Sequence, residues 1–521
     1  RENKFGKTRE RTNLTAASSP LPSASDSGLG FCSPAMSAPL PGRTLADLDG
    51  DVLAHCARYL CARDVTSLAM ACRPLHAAAY CDAVWYRLYR EQWPFLQVPR
   101  GALGMRELYI QRNTEVRQMK FVDPTSCIYK LHPAESTPSH LMLDRNSVWF
   151  SQGPIAKRLG LGWLDMELVE AYRSHSARVT CMRLFPLIDT PLFRSDAHTN
   201  EKALVTSSTD RTVRLYWKGH LRCYKGHSGP VTALADKLLG DGEFKVLATG
   251  GEDCTVRLWS MNTRAKKHPL VSTLHGHEKS LSLLSVSWHK SSLLVSSSKD
   301  TKVKVWDTMA PPSSVSSSCV GRTYLNSSGP PIAIKCYESL CYIAAGSEVT
   351  AIDLRTMKKV SVLALGDQRI FSCEMMPSEW LICTGIKDKA LLWDIRKSQE
   401  LANTVAELHS DGPVTLLHLD PYKVVTGGPC DDQVHVWETQ TGHLVNTLSC
   451  NNPVKSAGRS TLSAMAVDGC RIVTTGRSTE GSLLHYQDFL RSSVPAALPG
   501  EEVSKFWGPQ EYDDEGTDDD D

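Results

Sequence analysis

Residues 202–217 read KALVTSSTDRTVRLYW, residues 245–260 read KVLATGGEDCTVRLWS, and residues 292–307 read SLLVSSSKDTKVKVWD. In each stretch apolar and polar residues alternate, a short turn carrying an Asp interrupts the run, and a second alternating segment ends on an aromatic residue. Alternation at period two fits a half-buried strand, so each stretch reads as strand, tight turn, strand. The closing positions continue as Tyr216, Trp259, Trp306, Ile352, Trp393, Trp437 and Tyr486, separated by 41 to 49 residues. Self-similarity at such a period marks units that bury their apolar faces by stacking on one another.

Further residues recur with the strands. Gly226-His227 and Gly276-His277 precede two units, Trp306-Asp307 and Trp393-Asp394 end two, and Asp210, Asp253, Asp300, Asp388 and Asp431 occupy the central turns. With these motifs the chain resembles the WD-repeat family, which implies an all-β WD40-type β-propeller of four-stranded blades. The count is seven or eight blades, with eight favoured on the strength of an earlier unit marked by Trp163-Leu164-Asp165 and His175. Two units depart from the pattern: the one ending at Ile352 lacks the turn Asp, and the one ending at Tyr486 has Glu480-Gly481 there.

The recurring set His227, Asp253, Trp259, His277, Asp300, Trp306, Asp388, Trp393, Asp431 and Trp437 invites comparison with a catalytic triad. A triad occurs once, with an exposed nucleophile, whereas this set repeats from unit to unit. It is read as a structural hydrogen-bond network, since buried polar groups need partners. No catalytic residue, cofactor or metal site is assigned.

Composition narrows the function classes. At 521 residues, 41% hydrophobic and 22% charged, the chain is expected to fold over most of its length. The net charge of +1 conceals a split, because residues 501–521 hold ten acids against Lys505 and the remainder carries +10. That excess is thinly spread, unlike the dense stripe that phosphate-backbone binding requires, so nucleic acid is not an expected partner. The 17 cysteines are scattered and read as reduced thiols, and the nearest pairs, Cys56/Cys61 and Cys336/Cys341, lack Cys-x-x-Cys spacing for zinc. No uncharged apolar run reaches 18 residues, so no helical membrane span is expected, and the chain is placed in cytoplasm or nucleus.

The domain plan has five parts. Residues 1–43 read as a disordered leader, with Met36 a candidate true start, and residues 491–521 as a solvated acidic tail. Residues 91–135 form a helical linker around a helix from Met105 to about Met119, and residues 136–490 form the propeller. Residues 44–90 read as three short helices, with Leu48, Val52, Leu53, Cys56 and Leu60 on one face and Asp64 as an N-cap before Val65 and Leu68. This segment, LADLDGDVLAHCARYLCARDVTSLAMACRPLHAAAYCDAVWYRL, resembles an F-box, departing from it at Asp49, where the family has Pro, and in the small Ala77-Ala78-Ala79 run. The resemblance implies a module that docks a Skp-type adaptor, and through it cullin and RING subunits, using Leu48, Val52, Leu53, Leu60, Val65, Leu68 and Trp85.

Together the two resemblances imply a non-enzymatic substrate receptor of a ubiquitin ligase; the alternative is a WD-repeat scaffold outside any ligase. The loop entering each blade and its second turn fall on one face of the ring. There Arg178, Arg211 and Arg369 are candidates for an acidic or phosphorylated protein substrate, because guanidinium forks match phosphate.

Overall fold

The computed structural model describes residues 48–92, 104–121 and 124–490, the last apart from internal segments of which 191–200, 309–318 and 450–460 are the longest. The expectations for residues 1–43 and 491–521, and for Trp163-Leu164 and Glu480, lie outside the described residues.

Eight antiparallel four-stranded sheets make up the β portion. Seven are built from consecutive strands, within residues 140–172, 179–225, 231–274, 281–324, 331–364, 372–409 and 416–449, here blades 1 to 7. Their first strands line a ring, each packing on the next blade, and the first strand of blade 8 returns to that of blade 1. Side chains tie neighbours together: the Thr232 hydroxyl donates to the Leu281 carbonyl at 2.7 Å and the Ser372 hydroxyl to Val414 at 2.7 Å.

Blade 8 closes the circle. Its first three strands, Thr461–Asp468, Arg471–Ser478 and Gly481–Asp488, are completed by Thr125–Lys130, which pairs along its whole length with the third. The propeller therefore begins at Thr125, inside the segment expected as a linker up to residue 135. A strand drawn from before blade 1 covers the edge of the last blade, the open edge a ring most needs to cover.

The pairing between third and fourth strands shifts register at Trp259, Trp306, Ile352, Trp393 and Trp437, the closing positions of their blades. Blade 1 has the same irregularity at Leu159. Leu159 thus takes the closing position of blade 1. Leu159 and Phe150 are fully buried together, so an apolar pair fills the space.

The N-terminal unit has four helices rather than three: α1 (Gly50–Ala57), α2 (Ala62–Ala71), α3 (Arg73–Ala79) and α4 (Asp82–Gln92). Cys61, not Asp64, caps α2. Its sulfur accepts from the Asp64 amide at 3.4 Å while its S–H donates to the Asp64 carboxylate at 3.0 Å, a reciprocal cap in the manner of a capping box. The small Ala78 and Ala79 are buried, and the Ala79 carbonyl accepts from the Trp85 indole at 2.7 Å, so small residues permit this close approach.

Helix α5 (Met105–Phe121) joins the two parts. At one end Leu108 and Tyr109 enter the helical core, with the Tyr109 ring 5.3 Å from Trp85. At the other Met119 sits among Val436, Leu448 and Phe489 of blades 7 and 8, and its carbonyl accepts from Asn446 at 3.1 Å. The helical unit therefore lies on the lower face, where first and second strands join.

Candidate functional site

On the upper face the entering loop of a blade meets its second turn. The Thr209 amide donates to Arg178 at 3.0 Å, Glu252 to Pro230 at 2.8 Å, and Lys299 to Ser280 at 3.0 Å. Beneath these junctions lie the recurring polar sets. In blade 3 His227 Nδ1 is 2.9 Å from Asp253 Oδ2, His227 Nε2 is 2.8 Å from Thr249 Oγ1, and the Trp259 indole donates to Thr249 Oγ1 at 2.9 Å. Hydrogen bonds from Thr255 and His227 outweigh the upward push of burial and hold the Asp253 carboxyl at about 2. An ionised Asp only accepts, so His227 donates from Nδ1 and the Thr249 hydroxyl donates to Nε2, giving one consistent proton order. Burial holds the His227 imidazole below its usual range, so it stays neutral.

Blade 4 repeats the set more loosely. His277 Nε2 is 2.7 Å from Ser296 Oγ and Trp306 donates to Ser296 at 2.8 Å, but His277 Nδ1 stands 3.8 Å from Asp300. In blade 2 His175 is 2.8 Å from both Asp210 and Thr206. The histidine side chains of blades 2 to 4 are about 1% exposed, so these sets hold turns rather than meet substrates.

Two expected members depart. Asp388 is exposed, because Gly366 stands where blades 2 to 4 have His, although Trp393 still donates to Thr384 at 3.0 Å. Asp431 is buried but accepts from the Ser410 hydroxyl at 3.1 Å, with Trp437 donating to Thr426 at 2.9 Å. Blade 7 has one residue more between His409 and Pro413 than blade 3 has between His227 and Pro230, which moves Ser410 into the histidine's place.

Arg178, Arg211 and Arg369 are all exposed on the upper face. Arg178 and Arg211 belong to the same junction of blade 2, whereas Arg369 lies in the loop entering blade 6, four blades round the ring, with its guanidinium 5.9 Å from the exposed Phe371 ring. The structure brings the first two together and leaves the third apart. A cavity of about 450 Å³ runs between the first strands of blades 2 to 6, with Arg183, Asp236, Lys335 and Glu374 on its wall. Surrounding protein raises the Glu374 carboxyl above its usual range, opposed by His418 and Lys335.

The seven residues expected to bind an adaptor divide. Leu53, Val65 and Trp85 are buried, and Leu60 and Leu68 pack partly against the same helical core. A face of this kind needs its largest apolar groups inside to hold four short helices together. Leu48 and Val52 are exposed, joined by Tyr59 at 79% and Met70 at 66%.

The "WD domain, G-beta repeat" family matches residues 218–260 and 268–307, each span running from the fourth strand of one blade through the third strand of the next, and together they take in the polar sets of blades 3 and 4. The fold is an eight-bladed WD40 propeller. Similar proteins include the nuclear distribution protein nudF of Aspergillus niger, 24% identical over 334 residues, covering 57% of this chain and 68% of that protein. A ribosome biogenesis protein WDR12 homolog of Arabidopsis thaliana is 25% identical over 275 residues, covering 45% and 60%. The Polycomb protein EED of Chaetomium thermophilum is 28% identical over 115 residues, covering 21% and 20%. The chain thus spans only part of the length of each of these relatives.

Within the WD40 ring, sequence reasoning missed the basic corner of blades 1 and 2. His140, on the first strand of blade 1, is brought to about 4 by burial and then by the nearby positive charges of Arg178 and Arg183. Arg183 sits mid-strand, where no motif marks it. It is exposed and lines the cavity between the first strands. Among the described residues no helix is long and apolar enough to cross a membrane.

Proposed function

We propose that this chain is a protein-interaction scaffold with two working ends. The propeller's upper face receives one protein, and the helical unit on the lower face docks a second. The observation that carries this is the separation of the two surfaces. Arg178 and Arg211 project above the ring, while Leu48, Val52, Tyr59 and Met70 are exposed on a unit joined to the opposite face. The WD40 match supports the broad reading, as do relatives named for nuclear distribution and ribosome biogenesis. Cytoplasm and nucleus both suit it.

The upper-face partner is an acidic or phosphorylated segment. Arg178 and Arg211 share one junction, Arg178 and Arg183 both act on His140, and guanidinium groups suit bidentate anion contacts. Phosphopeptide libraries titrated against the full chain should give hits that weaken at least about tenfold in Arg178→Ala/Arg211→Ala, the loss of roughly one charge-assisted contact. Equal affinity in the variant removes these arginines from the reading.

A finer second reading makes this scaffold a ligase substrate receptor whose helical unit docks a Skp-type adaptor. It is favoured by one observation: the F-box-like helices leave large apolar side chains, Leu48, Val52, Tyr59 and Met70 among them, outside a well-formed core. Co-purification with a Skp-type adaptor that is lost in Val52→Asp/Met70→Asp supports it. No adaptor binding by the intact chain leaves the scaffold alone.

A further inference from the structure

The lower face carries an arc of aromatic residues. The turns joining first and second strands in four consecutive blades present Trp288, Tyr337, Trp380 and Tyr422. At one end of the arc Tyr422 is buried, with the Arg112 guanidinium of α5 5.5 Å from its ring centre and Lys423 Nζ at 4.2 Å. Toward the other end cover is lacking. Trp288 is 59% exposed, Trp380 is 43% exposed, and the Trp288 ring lies 5.7 Å from Tyr337 with Lys237 Nζ 4.3 Å above it. The arc thus starts within an established contact and continues into solvent. Exposed tryptophan beside tyrosine is a composition typical of binding hot spots.

Backbone geometry adds a second observation. Trp380 adopts φ +61°, an uncommon value for so bulky a residue, and is held there by its amide bond to Pro377 at 3.1 Å and its carbonyl bond from Ile395 at 2.8 Å. Such strain is kept where surrounding structure enforces it and clusters at functional sites. Exposed Lys237, Arg355 and Lys358 lie on turns of the same face. Lys290 pairs with Asp307 at 3.0 Å and Arg396 with Asp394 on this face.

The acidic tail leaves from this face. The third strand of blade 8 runs downward and ends at Asp488, paired with Thr125 just beyond α5. Residues 491–521 follow, and they hold Phe506, Trp507 and Tyr512 among acids that give residues 501–521 a charge of −9 against +10 for the rest. The residues from Leu490 to Trp507 can reach at most about 56 Å. A tether of this length supplies an effective concentration of about millimolar, so weak contacts suffice.

We propose that this acidic, aromatic tail folds back on the arc, its aromatics against Trp288 and Trp380 and its carboxylates beside Lys237, Arg355 and Lys358. Exit on the same face, opposite charge and matching aromatic content favour the tail over an external segment. The upper face is not involved, so failure here leaves the proposed function untouched.

Zero-length carbodiimide coupling on the full chain, with light and heavy isotopic copies mixed, tests it. Tail carboxylates should couple within one chain to Lys237 and Lys358 about fivefold more than to Lys299 and Lys387 of the upper face, as local concentration dictates. Trp288→Ala/Trp380→Ala, both at exposed positions, should abolish that preference without lowering the melting temperature, and high salt should weaken it. Even coupling over both faces, or a preference unchanged in the variant, overturns the proposal. Coupling mainly between light and heavy copies assigns the arc to a second copy's tail, and its absence assigns the arc to an external partner; either result refutes intrachain docking.

Discussion

In blade 3 the Trp259 indole donates to Thr249, which in turn meets His227 and, through it, Asp253. In blade 5 the corresponding positions are Ile352 and Ile343, both fully buried in one apolar cluster. The backbone is the same four-stranded meander with the same register shift at the closing residue. Two chemistries therefore fill one geometry. A buried hydrogen-bonded set and an apolar pair are both complete, whereas half of either is costly, because an unpartnered buried polar group loses its hydration without return.

The largest effect should come from emptying the polar blade. Trp259→Ala removes the ring and with it the indole donor to the Thr249 oxygen, and should cost about 3–5 kcal/mol, read as a large drop in the denaturation midpoint. If Trp259→Ala costs under about 1 kcal/mol, the ring is not the keystone of blade 3.

Acid should separate the two blades next. Burial holds His277 at about 4, below its ordinary 6.5. Above pH 6.5 it is neutral in both states. As pH falls from 6.5 toward 4, the unfolded chain takes up a proton that folded His277 refuses, and stability is lost. The loss is on the order of 3 kcal/mol once pH has passed below 4. His277→Leu should flatten the midpoint-against-pH curve in that window. The Ile343–Ile352 pair contributes nothing there.

Mixing the chemistries sharpens the comparison. Ile343→Thr puts a hydroxyl into an apolar pair and should cost roughly 2–3 kcal/mol, and adding Ile352→Trp should recover part of it by supplying the indole donor. A double variant no better than the sum of its parts denies that the positions are equivalent. The smallest effect belongs to Asp388→Ala, which should lie within about 0.5 kcal/mol of wild type because the side chain is exposed with Gly366 in the histidine's place.

The propeller was legible because its pattern is local and repeated. Alternation and turn chemistry sit within about 16 residues of one another in each unit, as at 245–260. What repetition does not encode was missed. Thr125–Lys130 joins a strand more than 350 positions later, and nothing in its six residues names that partner. Leu159 closes blade 1 without an aromatic, so Trp163 drew attention instead. On the helices, three- and four-residue spacing marks an apolar face but does not say which members turn to the core. Leu53, Val65 and Trp85 went inside, while Leu48 and Val52 stayed out. The pairing of Arg178 with Arg211 followed from antiparallel topology alone, whereas His140 and Arg183 emerged only once blades 1 and 2 were adjacent.

The claim of two separate working ends is tested most directly by quantitative capture with four versions of the full chain: wild type, Leu48→Asp/Val52→Asp, Arg178→Glu/Arg211→Glu, and the combination. All changes are at exposed positions, so each protein should fold with an unaltered melting temperature. The account predicts that each pair of substitutions removes its own set of partners and that the combination removes both. Loss of the same partners from both pairs, or of none from either, contradicts it.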